Sequence, residues 1–139
     1  MFKRILVPLD GSENAKKVLP IVVTEAKCHN AVVVLLHVIS PLQRSFMASP
    51  NMLAQVLDEL EMLTKENIEI VAMKIRTEGL EVETIIERGH PAEKIYEIAQ
   101  NELCDLIIIG CDDYFTKKFR FYRIFNSPLN ERFSMYMNK

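Results

Sequence analysis

Ile5-Leu6-Val7-Pro8-Leu9-Asp10-Gly11-Ser12 is the stretch that decides how this chain folds. Five residues, four of them branched apolar, run into an acid, a glycine and a hydroxyl. That order reads as a buried parallel strand, a tight turn and a helix N-terminus. In an open α/β sheet, ligands bind just beyond the carboxyl ends of such strands. Asp10 reads either as the first candidate ligand contact, beside the free N–H groups of the next helix, or as a turn residue that satisfies local N–H groups. Ser12 reads as the cap of that helix rather than as a nucleophile, because no histidine is placed to activate it.

Working outward, strands and helices alternate. The apolar runs predict strands at 2–9, 31–38, 81–87 and 106–109. The second is almost wholly apolar and β-branched, as a strand covered on both faces should be. Between them the first helix runs from Ser12 to about Cys28, with Ala15, Val18, Leu19, Val22 and Ala26 near one face and a kink expected at Pro20. A second helix starts at Ser49-Pro50 and reaches about Thr77, with Leu53, Val56, Leu57, Leu60, Leu63 and Thr64 on its buried face. Gly89-His90-Pro91 turns into a third, which carries Ile95, Ile98 and Ala99. The expected fold is α/β: a single domain with an open parallel sheet and helices on both faces. Leu6, Val34, Leu36, Leu60, Ile95, Ile98 and Ile108 are expected in its core.

Composition narrows the function classes. The 139 residues have a net charge of −2, so the chain as a whole does not advertise nucleic-acid binding. No apolar run approaches the ~20 residues that span a bilayer. The N-terminus reads as a strand rather than a signal peptide, and Cys28, Cys104 and Cys111 read as reduced thiols of a cytoplasmic protein. The three histidines and three cysteines show no metal-ligand spacing, so no metal site is expected. His37 reads as a satisfied core or edge histidine, and His90 as a helix cap.

The text changes after Gly110. None of the four glycines follows it, eight of the eleven aromatics do, and residues 111–139 carry +3 against −5 for residues 1–110. No clear strand is expected to close the chain. Lys117, Lys118, Arg120 and Arg123 interleave with Phe115, Phe119, Phe121 and Tyr122. Such a strip can hold phosphates and stack bases. A surface loop whose aromatics pack on the domain or on a second subunit is the preferred reading. A shift of reading frame near Gly110 is a third account of the boundary.

The first 110 residues resemble the universal stress protein family. The resemblance rests on residues 5–12, on Leu35-Leu36-His37-Val38, on residues 87–93 (ERGHPAE) and on residues 105–110 (DLIIIG), in the family's order. It implies a five-stranded parallel sheet with the first strand between the second and the fourth. Nucleotide-binding members hold ATP at the carboxyl edge. By resemblance, Asp10 meets the ribose or a metal, Val38 lines the adenine pocket with main-chain atoms, and Ile109 and Gly110 close the other side. The family's phosphate loop follows G-x2-G-x9-G-(S/T), whose glycines let backbone N–H groups approach the phosphates.

This chain keeps Gly110 of that loop, but Asp113 stands at the second glycine and Arg123-Ile124 at the strict spacing of the last pair. Asn126-Ser127 is a looser candidate three positions later. The family's last strand, often a dimer contact, is missing or replaced by residues 133–137 (FSMYM). ATP is thus expected to bind weakly or not at all, with Mg present only alongside nucleotide. A homodimer, with the aromatic tail as its contact, and a protein partner are expected. No triad, P-loop or matched acid pair supports catalysis, so a binding protein is expected rather than an enzyme. The alternatives are a nucleic-acid-binding module using the tail and slow ATP hydrolysis at Asp10.

Overall fold

The computed structural model describes residues 2–9, 13–40, 50–110, 119–124 and 133–137. Four strands, β1 (Arg4–Pro8), β2 (Val32–Ile39), β3 (Val82–Arg88) and β4 (Leu106–Gly110), alternate with α1 (Glu13–His29), α2 (Pro50–Arg76) and α3 (Pro91–Asn101). All neighbouring pairs among these four strands are parallel, in the order β3-β2-β1-β4. The first strand lies between the second and the fourth, as the resemblance implies. α1 continues through Pro20 from Glu13 to His29.

Strand alternation divides the core into two layers. Ile5, Val7, Val33, Leu35, Leu106 and Ile108 face one way, onto Val18, Val22 and Ala26 of α1 and Ile68, Ala72 and Ile75 of α2. Leu6, Val34, Leu36 and Ile107 face the other way, onto Ile98 and Ala99 of α3 and onto Cys104. Each fully buried Leu or Ile contributes on the order of 1.5–3 kcal/mol. Burial, chiefly, pushes the Cys104 thiol up to about 12, so this cysteine is an inert packing residue.

Three expectations change. Leu60 and Ile95 are half-buried rather than core, while Leu63 stands exposed on α2. Of the expected α2 stripe Leu57 is buried and Leu53, Val56 and Thr64 are half-buried, while the residues of α2 that join the sheet's core are Ile68, Ala72 and Ile75, further along the helix. The third change is in the tail. Part of the basic aromatic strip is not a loop but strand β5 (Phe119–Ile124), and the chain gains a further strand, β6 (Phe133–Met137). Both pair antiparallel, β5 on β4 and β6 on β5, so the parallel sheet is extended by a hairpin to six strands. Pairing with the free edge of β4 satisfies main-chain groups that would otherwise lack partners.

The amino ends of the strands are tied together by charge. The Asp105 carboxylate accepts from the Lys3 N–H at 2.9 and 3.1 Å and from the Arg4 N–H at 3.1 Å. Arg4 donates through Nε to the Glu102 carbonyl at 2.7 Å and through its guanidinium to the carboxylates of Glu83 and Glu102. The hydrogen bond from Arg4 holds Glu83 below the usual carboxylate range. One arginine thereby joins β1, β3 and the end of α3.

Candidate functional site

The carboxyl ends of the same strands are built differently. β2 runs three residues beyond the last β1 pair, Pro8↔Leu36, and stays paired with β3 as far as Ile39↔Arg88. Alternate residues of a parallel strand direct their main-chain groups to opposite neighbours. The Leu36 carbonyl accepts from the Leu9 N–H of the β1 side at 2.7 Å, and the Ile39 carbonyl accepts from Gly89 N–H beyond β3 at 2.9 Å. Val38 shares the direction of Leu36, so its N–H and C=O point toward β1, past the last paired residue. Among the described residues no main-chain group pairs with that donor and acceptor, which sit side by side at the mouth of a notch.

The notch is a cleft of about 170 Å³, lined by Pro8, Leu9, Leu36, Val38, Pro91, Ile95, Ile109 and Gly110. Its described lining carries no ionisable side chain. That makes it suited to a flat apolar-faced group read by main-chain hydrogen bonds. It is smaller than the roughly 300–1,000 Å³ of pockets that swallow a whole drug-sized ligand. It fits one heterocycle better than a complete nucleotide.

The turn into α3 shapes one wall. Gly89 has φ of +149°, a conformation that L side chains rarely adopt, and a Cβ there would meet Lys94 Cε at 2.9 Å. His90 occupies the N-cap position with extended backbone but makes no side-chain cap bond. Pro91 follows at the first helical position, where its missing N–H costs nothing, and forms the rim of the cleft. Arg88 lies at the same edge, but its guanidinium is held by Asp58 at 2.7 Å and Glu61 at 3.3 Å. The bond it donates to Asp58, foremost, raises its pKa, so it stays a charged brace between β3 and α2.

Three residues singled out in the sequence, Val38, Ile109 and Gly110, meet in this cleft. Asp10, Asn126 and Ser127 lie outside the described residues. Pro8, Leu9, Leu36, Pro91 and Ile95 join the site without having been singled out for it. Pro8 and Leu9 lie at the end of β1, Leu36 is the β2 partner of Pro8, and Pro91 lies within the 87–93 stretch, so the end of β1 was the available signal. Among the described residues no group of three or more His, Cys, Asp or Glu could hold a metal ion. No helix among them is long and apolar enough to cross a membrane.

The sequence profile of the universal stress protein family matches residues 1–121, eleven residues past the sequence resemblance. A universal stress protein of Thermus aquaticus, from the 3′ region of QAH/OAS sulfhydrylase, is 31% identical over 110 residues, 79% of this chain and 77% of its own. Among solved structures, universal stress protein UspA from Lactobacillus plantarum is 25% identical at a TM-score of 0.70, covering 91% of this chain and 81% of its own. The universal stress protein from Archaeoglobus fulgidus, solved in complex with dAMP, is 26% identical at a TM-score of 0.59, covering 78% and 80%. With the profile spanning most of the chain and the Thermus aquaticus relative matching over more than three quarters of both sequences, the chain belongs to the universal stress protein family.

Proposed function

We propose that this chain is a cytoplasmic stress-response protein that works by binding rather than catalysis, and that its cleft takes the adenine and sugar of an adenine nucleotide. The observation that carries the reading is the notch beyond the end of β1, where the Val38 main chain, without a β1 partner among the described residues, lies beside an apolar slot lined by Ile109 and Ile95. Adenine presents a donor and an acceptor on one edge and two apolar faces, which is the complement of that slot. A relative 26% identical was solved with dAMP, a ligand with the same base and a single phosphate.

The phosphate side of the reading follows from the residues after Gly110. Asp112 and Asp113 stand where a phosphate loop would need glycine and N–H donors. Two carboxylates next to a triphosphate repel it unless a divalent ion intervenes. ATP is therefore bound weakly or not at all, and no tighter than AMP or adenosine, with Mg entering only beside a nucleotide. Asp10 is the proposed ribose contact, and Asn126 and Ser127 are the candidates for any phosphate contact that remains.

Calorimetric titration with Mg-ATP, AMP and adenosine is the test. Comparable affinities for the three fit the reading. Micromolar or tighter binding of Mg-ATP, with clear preference over AMP, would mean that residues beyond Gly110 build a phosphate cradle. Absence of heat with all three would remove the nucleotide from the proposal.

A further inference from the structure

Helix α2 carries two apolar faces, and the sheet uses one. Leu57, Ile68, Ala72 and Ile75 are buried. Met52, Met62, Leu63, Ile70 and Met73 are between 53% and 68% exposed. At about 100° per residue these five fall within an arc of roughly 100° on the side opposite the sheet. Leu103 is the one other large hydrophobic among the described residues with comparable exposure. The exposed apolar surface is therefore concentrated on one helix face rather than scattered, which is the pattern of an interaction site. Three of the five are methionines, whose flexible side chains adapt to an opposing surface.

The charges beside the stripe say what would cover it. Asp58, Lys65, Glu69 and Arg76 run along one flank of α2 in the order minus, plus, minus, plus. A second α2 turned end for end places Asp58 against the copy's Arg76 and Lys65 against the copy's Glu69. A parallel copy places like against like. An antiparallel pair also opposes the two helix dipoles favourably. Asp58 is 71% exposed and Glu69 and Arg76 are 44% and 43% exposed, so their bonds within the chain leave capacity for a partner. Self-complementarity under a two-fold is the requirement for a dimer interface between identical chains.

We propose that this face of α2 is a self-association surface, on which two copies of the chain pair antiparallel, α2 against α2, about an axis near Asn67. The contact is distinct from the tail expected from the sequence. Glu59 and Glu66 also fall within the arc, and Glu66, next to the axis, lies close to its own copy. That like-charge contact opposes association and makes the dimer reversible.

Sedimentation equilibrium of the full chain over a range of concentrations tests the proposal. Ile70→Lys should raise the dimer dissociation constant roughly tenfold or more. Lys65→Glu should raise it about threefold by setting acid against Glu69. Glu66→Gln should tighten it. All three positions are exposed, and circular dichroism checks that each variant is folded. Orientation is read by a short bismaleimide in a Cys28→Ser, Cys111→Ser background. Glu66→Cys should cross-link to its copy, and Met52→Cys, far from the axis, should not. A monomer at millimolar concentration, a dimer unmoved by Ile70→Lys, or cross-linking through Met52→Cys would each overturn the proposal.

Discussion

The two ends of the parallel sheet have opposite chemistry although the same strands build both. At the amino end, Arg4, Glu83, Glu102 and Asp105 close the sheet with ion pairs and main-chain caps. At the carboxyl end, β1 stops short, Val38 has no β1 partner among the described residues, and the described lining of the cleft is apolar. Polar side chains are concentrated at the amino end, and the described cleft at the carboxyl end is lined by apolar residues. The fold separates what holds it together from what it could bind.

The sharpest way to probe that separation begins in the middle of the strands, which both ends need. Ile108→Ala removes a fully buried side chain and should cost about 2–5 kcal/mol, read from the urea midpoint. Leu36→Ala should cost a similar amount of about 2–5 kcal/mol and also weaken adenosine binding, because Leu36 is both core and cleft wall. An unchanged midpoint for both would mean that the layers are misassigned.

At the closed end, Asp105→Ala strips the acceptors from the Lys3 and Arg4 N–H groups. A loss of about 1–3 kcal/mol in stability is expected, with adenosine affinity unchanged. At the open end, Ile95→Gln should do the reverse. Adenosine affinity should fall roughly tenfold while stability stays within about 1 kcal/mol, since Ile95 is half-buried. If either variant moves both quantities together, the two ends are coupled and the comparison fails.

Leu103 sharpens the picture of the closed end. It joins α3 to β4 with φ of +55° and is 76% exposed. A leucine there carries about 1–2 kcal/mol of backbone strain and has little burial to offset it. Leu103→Gly relieves that strain but costs about 0.5–1 kcal/mol in chain entropy. A net gain of roughly 0.5 kcal/mol in thermal unfolding is expected.

The smallest effect is in pH. Glu83 has a folded-state pKa lowered by its bond from Arg4. Its contribution is fully present above the ordinary carboxylate value of about 4.3 and is lost as pH falls through the lowered folded value. Its half-exposed position keeps the contribution small. Acid titration of stability should therefore be slightly shallower in Arg4→Met than in the parent chain. Identical acid profiles would show that the pair contributes nothing measurable.

Much of this was legible along the chain, for identifiable reasons. The four parallel strands fall within two residues of their expected ends because buried parallel strands are apolar on both faces and bounded by turn residues. Val38, Ile109 and Gly110, which line the cleft, came from the resemblance to the family, whose nucleotide-binding members use the carboxyl edge of the sheet. Leu63 was misplaced because spacing marks apolar stripes on a helix without saying which one meets the sheet. Residues 119–124 are aromatic and β-branched apart from Arg120 and Arg123 and show no strict alternation, and such a stretch becomes a strand only when a partner edge is available.

The sequence by itself determined the parallel α/β core, its strand order through the family's pattern, and the loss of a glycine phosphate loop after Gly110. These depend on local spacing and on which residue types stand at strand ends. Only the tertiary structure decided that the tail pairs back antiparallel on β4, that α2 leaves a methionine-rich face outward, and that β1 ends short of Val38. Each of these depends on a non-local partner, because an edge, a helix face or a main-chain N–H is paired or free only relative to what the rest of the chain brings beside it.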